Sequence, residues 1–315
     1  MMKYEDFVEE IKSRMEVKLG KDYTVSVAEM LKNNSVVQRQ LVIQKSDSSI
    51  SPRIHLQGQY EQYMEQPERA RLDELTENII QLYESQELMM NETTKQTMRL
   101  NDYGYVKDRI LYKLVNTKDN QEMLTQIPHI PFLDLSIVFY ICISETEEGR
   151  MTALVTNQHM EHWNVTADEL YQAAGKNTPE KMPVRFCTME EMLFGVNKDL
   201  EANSEDEWGD KLFMAELCDE VPPLYVLSNI VGIQGASTIL YPDTLKKCAE
   251  SLQKDLVILP SSTHEVLILP YEEETDIEEL SHMVRAINVS DVPKEEWLSD
   301  HVYLYRREDD KVTAA

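Results

Sequence analysis

Three short stretches carry side chains whose types and spacing could do chemistry. The first is Pro260-Ser261-Ser262-Thr263-His264-Glu265. A hydroxyl nucleophile needs a base within hydrogen-bond reach and a third group to orient that base. Ser261, Ser262, His264 and Glu265 place hydroxyl, imidazole and carboxylate side by side, which is the raw material of a hydrolase. Strand geometry works against it: Ser262 and His264 can share a face, while Glu265 points to the other. No G-x-S-x-G elbow occurs anywhere in the chain. The competing reading is a tight turn between two strands, with the serine hydroxyls bonded to local backbone.

The second stretch is His159-Met160-Glu161-His162-Trp163. Spacing i, i+3 on a helix puts His159 and His162 on one face, where two imidazoles could ligate a metal. A helical metalloprotease would show H-E-x-x-H, which is absent, and with seven histidines in all a third ligand must come from far away. The competing reading is an exposed helical face, with Met160 and Trp163 packing inward. The third stretch is Glu205-Asp206-Glu207-Trp208-Gly209-Asp210. Trp208 among Glu205, Asp206 and Glu207 has the make-up of an anchor for a basic partner, because tryptophan is enriched in interface hot spots. The carboxylate spacing does not meet the EF-hand pattern. Here the competing reading is a solvated loop with the indole tucked onto the body.

Gly232 and Gly235 stand alone, so neither a Walker nor a Rossmann phosphate loop is present, and no cofactor is implied. Cys142, Cys187, Cys218 and Cys248 form no C-x-x-C pair and read as free thiols in a reducing compartment. Acids outnumber bases by 57 to 31, a formal net charge of −26. That excludes sequence-nonspecific duplex binding, which needs a basic footprint. The functional reading of the acid excess is attraction to a basic partner or to cations, or imitation of nucleic-acid phosphates; the competing reading is solubility and self-repulsion between copies. No run approaches the roughly 20 apolar residues of a membrane span, and the N-terminus carries acids instead of a signal-peptide core. The expected location is therefore cytoplasmic.

The elements that must position these groups follow from periodicity. Phe7, Ile11 and Met15 recur at helical spacing over residues 3–19, before Gly20 as a stop. Alternation at 23–27 and 36–44, with a short strand at 53–56, predicts a meander. Leu72, Leu75, Ile79, Leu82 and Tyr83 mark a second helix after Pro67, ending near residue 85. Residues 87–108 have weak periodicity and read as a junction, giving subdomains 1–108 and 109–315. Beyond it, strands are expected at 110–115, 127–143 and 151–156. Two Thr-x-x-Glu capping boxes, at Thr166 and Thr188, open helices. Strands at 224–227, 256–259, 265–269 and 302–305 alternate with helices at 242–252, 276–288 and 293–298. Hairpins mixed with single helices, without regular βαβ alternation, predict an α+β fold of mainly antiparallel sheets with packed helices.

Five ordered segments carry a family likeness: IPHIPFLDLSIVFY (127–140), LVTNQHMEHWNVTADELYQAAGKNTP (154–179), PLYVLSN (223–229), GASTILYP (235–242) and LVILPSSTHEVLILP (256–270). With them the chain resembles the clostridial family of uncharacterised proteins called domain of unknown function five-six-eight-eight, over nearly its whole length. The helix after the hairpin is also similar to a bacillus-type uncharacterised family. The resemblance implies a bacterial cytosolic protein and brings no activity with it. The sequence is accordingly read as an acidic, non-enzymatic interaction protein for a basic partner, through Trp208 and its acids. A hydrolase using Ser261 or Ser262 with His264 is the alternative, and a metal-binding protein through His159 and His162 the third reading.

Overall fold

The computed structural model describes residues 2–45, 53–146, 149–194, 224–260, 262–290 and 292–315. Ser261, Glu205, Asp206, Glu207 and Trp208 lie outside the described residues. The chain divides into two compact units, Met1–Arg99 and Leu100–Ala315.

In the first unit, α1 (Tyr4–Leu19) buries Phe7, Val8, Ile11 and Met15 along one stripe. Gly20 ends it at φ 79°, a left-handed conformation that costs glycine little. Strands β1 (Tyr23–Leu31), β2 (Val37–Lys45) and β3 (Arg53–His55) form an antiparallel sheet in that order. Helices α2 (Gln57–Glu65) and α3 (Arg69–Thr97) follow. Leu41, Ile43 and Ile54 from the sheet meet Leu75, Ile79 and Tyr83 of α3 in the core with α1. α3 runs past the expected end near residue 85, because residues 86–97 contain neither proline nor glycine to stop it.

The second unit opens with the single turn α4 (Tyr103–Val106), then β4 (Ile110–Asn116) and a second single turn, α5 (Gln121–Leu124). β5 (His129–Phe132), β6 (Leu135–Thr146) and β7 (Gly149–Leu154) complete a four-stranded antiparallel sheet. β6 is its centre, with β4 along one side and β5 and β7 sharing the other. Next come α6 (Asn157–Trp163), α7 (Ala167–Lys181), β8 (Val184–Thr188) and α8 (Met189–Phe194). β9 (Tyr225–Asn229) leads through a 3-10 turn, Gly235–Leu240, to α9 (Thr244–Leu252). β10 (Leu256–Leu259), β11 (Val266–Pro270), α10 (Ile277–Ser290), β12 (Tyr303–Arg306) and β13 (Lys311–Ala314) close the chain. The second sheet is antiparallel in the order β13-β12-β10-β11-β9-β8. The fold is α+β.

Alternation assigns each strand's faces. Leu256, Ile258, Val266, Ile268, Tyr303 and Tyr305 point into a core shared with Ile110, Tyr112, Ile137 and Phe139 of the other sheet. Val257, Leu259, Leu267 and Leu269 point outward, against Ile277, Leu280 and Val284 of α10. The expected continuous strand over 127–143 is in fact two strands. β5 folds back on β6 with Phe132 opposite Leu135, and the turn between them puts Leu133 at φ 54°. A leucine seldom adopts that region, so no turn signal marks the place in the sequence.

Burial in this sheet sets a clear expectation. Ile258→Ala, at a fully buried central position, should cost about 2–5 kcal/mol in urea unfolding. Val289→Ala, at a position 76 % exposed, should change stability by no more than about 0.5 kcal/mol.

Candidate functional site

The turn between β10 and β11 brings together residues distant in sequence. Ser262 and Thr263 are buried, and Ser262 bridges to Trp297 in a short antiparallel contact. The Ser262 hydroxyl accepts the His264 backbone N–H at 3.0 Å, and the Thr263 N–H donates to the Glu296 carbonyl at 2.8 Å. The His264 ring takes the Gln234 N–H at Nδ1, 3.4 Å away, and turns Nε2 toward the Glu296 carboxylate at 3.5 Å. An imidazole that accepts at Nδ1 carries its proton on Nε2, facing that acid. The His264 carbonyl accepts the Ser228 hydroxyl at 2.7 Å. Gly235 fits between them because it lacks a Cβ, which would lie 2.0 Å from Ser228 Oγ and 2.3 Å from the His264 carbonyl oxygen.

This arrangement ties backbone together. The described contacts of Ser262 and His264 join hydroxyl to backbone N–H and ring to Gln234 and Glu296. They include no bond from the Ser262 hydroxyl to the ring, which nucleophilic activation requires. Glu265 is half-buried just before β11. Glu296, Ser228 and Gly235 are the members of this cluster that sequence reading missed, since they lie 29 or more positions from His264 on separate segments.

His159 and His162 lie on α6 as expected, but His159 is already engaged. Thr156 caps the helix, accepting the His159 N–H at 3.3 Å, while its own N–H donates to His159 Nδ1 at 3.0 Å. The imidazole thus does the work that glutamate does in an ordinary capping box. The ring also stacks on Trp163 at 5.1 Å, and that indole donates to the Leu100 carbonyl at 2.9 Å. Burial, then the nearby His162, hold His159 below its ordinary pKa. His162 is exposed. Among the described residues no three His, Cys, Asp or Glu side chains form a group able to hold a metal.

A third cluster was not foreseen. Asp134, in the β5–β6 turn, accepts Ser299 Oγ at 2.7 Å and His301 Nδ1 at 3.1 Å on one carboxylate oxygen. The Tyr303 hydroxyl donates to its other oxygen. Burial, then this bond to Asp134, push the Tyr303 phenol well above its ordinary pKa. Around them Asn116 donates to the Leu298 carbonyl at 2.9 Å, and Asn288 to Ser299 and Asp300. Serine, histidine and aspartate meet here, with Ser299 Oγ 2.7 Å from the carboxylate and 3.5 Å from His301 Nδ1, and the ring presenting Nδ1 to the same carboxylate oxygen. That wiring differs from a nucleophile–base–acid relay.

A family model described as a family of unknown function, DUF5688, matches residues 4–307. The chain belongs to that family. The matched span takes in all three clusters and most of both compact units, stopping short of β13 at the end of the second. No curated protein and no solved structure matches it.

The capping role of His159 has a sign. Its folded pKa is depressed, so the neutral ring's contribution is full above the unfolded value near 6.5 and is lost as pH falls through the lower folded value. His159→Gln keeps an acceptor that does not titrate. Denaturant unfolding should show the wild type losing stability relative to this variant between about pH 7 and 5; parallel curves would contradict the cap.

Proposed function

We propose that the protein is a non-enzymatic binding protein whose carboxylate excess engages a positively charged protein partner. The observation that carries the reading is the charge. Were every one of the 31 bases paired with an acid, 57 − 31 = 26 carboxylates would still lack a cationic partner within the chain. Glu272, Glu273, Glu274, Glu278 and Glu279 stand exposed around the start of α10. The sequence adds Glu205, Asp206 and Glu207 beside Trp208 as an aromatic anchor in an acidic setting. The binding mode is electrostatic steering onto a broad negative surface, which raises association rates and is screened by salt.

The internal wiring of the serine turn favours this reading over hydrolysis, since the Ser262 hydroxyl is spent on a backbone N–H and the His264 ring on the Gln234 N–H and the Glu296 carboxylate. A cytoplasmic setting belongs to the same proposal and suits four cysteines without a paired motif. Among the described residues no helix is long and apolar enough to cross a membrane.

A fluorescent Lys/Arg-rich peptide and an uncharged peptide of equal length test the proposal by anisotropy. The basic peptide alone should bind, weakening at least roughly tenfold between about 0.05 and 0.5 M salt. Changing Glu205, Asp206 and Glu207 to amides should weaken it further, as should Trp208→Ala. Binding indifferent to salt, or no binding of the basic peptide, would refute the reading.

A further inference from the structure

We infer that the outer face of the four-stranded sheet holds an oxyanion-binding site beside Cys142, built by Arg109, Arg150 and Lys181. Strand register places the first two. Ile110 lies opposite Ile141, next to Cys142, and Arg109 ends the 3-10 turn that leads directly into β4 there. On the other side Thr152 of β7 is opposite Cys142, and Arg150 follows two residues along, opposite Glu145. Residues two apart on a strand share a face, so Arg150 shares one with Thr152. Lys181 ends α7, and the next residue, Met182, is buried with Leu111 and Tyr140, with Cys142, Leu154 and Val231 packed around them. The Tyr140 hydroxyl meets Met182 Sδ at 3.5 Å. Register and chain neighbourhood thus bring three cations from three elements near one half-buried thiol.

Their environments leave capacity for a ligand. Arg150 is 12 % exposed and bonds the more exposed Glu145 at 2.6 Å. Arg109 donates Nη1 to the Tyr105 carbonyl at 2.8 Å and lies 4.1 Å above the Tyr105 ring. Each guanidinium has five N–H donors, so further donors remain on both. Lys181 is exposed, and among the described residues its side chain makes no hydrogen bond or ion pair. Electrostatics agrees: Arg150, Lys181 and Arg109 all favour an anion at the Cys142 sulfur and Glu145 opposes it, while burial, the largest influence, pushes the thiol up. Arginine forks suit planar or tetrahedral oxyanions, so the ligand class is a small molecule bearing a phosphate or carboxylate group.

Cys142 is its own reporter. The anionic alkylator iodoacetate and the neutral iodoacetamide attack the same thiolate, so the raised thiol pKa slows both and leaves their ratio untouched. The rate ratio at Cys142, followed by peptide mass spectrometry on the folded full chain, is normalised to the same ratio for glutathione. The normalised ratio should favour iodoacetate by on the order of fivefold at low salt. It should fall toward one in high salt and in Lys181→Gln, an exposed change that spares the core. Inorganic phosphate should slow iodoacetate more than chloride at equal ionic strength, and Arg109→Gln should abolish that protection. A normalised ratio of one or below, or equal protection by phosphate and chloride, would overturn the inference.

Discussion

A single half-buried carboxylate connects the two sheets of the larger unit through side-chain hydrogen bonds. Asp134 sits in the turn between β5 and β6, and its donors Ser299, His301 and Tyr303 come from the segment entering β12, 165–169 residues away. A charged acceptor with several donors is among the stronger hydrogen-bond arrangements, and leaving a buried donor unpaired costs its full desolvation. Tyr303 is fully buried in the shared core, so its hydroxyl needs this partner. The neighbouring bonds follow the same line. Asn116 reaches the Leu298 carbonyl, Thr117 pairs with both Ser136 and the Asp134 backbone, and the Ser299 N–H reaches the Pro260 carbonyl. Apolar burial supplies the bulk of the driving force; this polar seam specifies how one sheet meets the other.

The seam and the serine turn together bear on function. Both contain the residue types of a hydrolytic relay, and in both the shortest described contact of the serine side chain is to a group other than an imidazole. Ser262 holds the backbone of His264, and Ser299 holds Asp134. Chemistry-bearing residues gathered in this way stabilise a fold with many loops between its strands. That leaves the outward carboxylates as the feature most in need of a use, and binding to a basic partner is the use we assign.

Much of the architecture was legible in the chain. The stripe Phe7, Ile11, Met15 and the capping boxes at Thr166 and Thr188 announced their helices. The apolar runs at Leu256–Leu259 and in β11 announced strands, because helical periodicity and short apolar runs are local properties. The turn at Leu133-Asp134 was not legible, because leucine carries no turn signal and its left-handed backbone is imposed by the pairing of β5 with β6. Missing that turn hid Asp134, and with it the seam. The partners of His264 were hidden for a related reason: Gln234, Gly235 and Glu296 reach it only through tertiary contact. The lone Gly235 looked like an isolated loop glycine and is a close-packing requirement.

The central claim is that Asp134 binds Tyr303 as a coupled pair across the two sheets. A double-mutant cycle of Asp134→Asn and Tyr303→Phe, read by urea unfolding, isolates that coupling from the cost of each change. The account expects a coupling of about 1–3 kcal/mol, with the double variant much less damaged than the two single losses combined. Strictly additive losses would mean that the two sheets are held in place by apolar packing alone, and would contradict it.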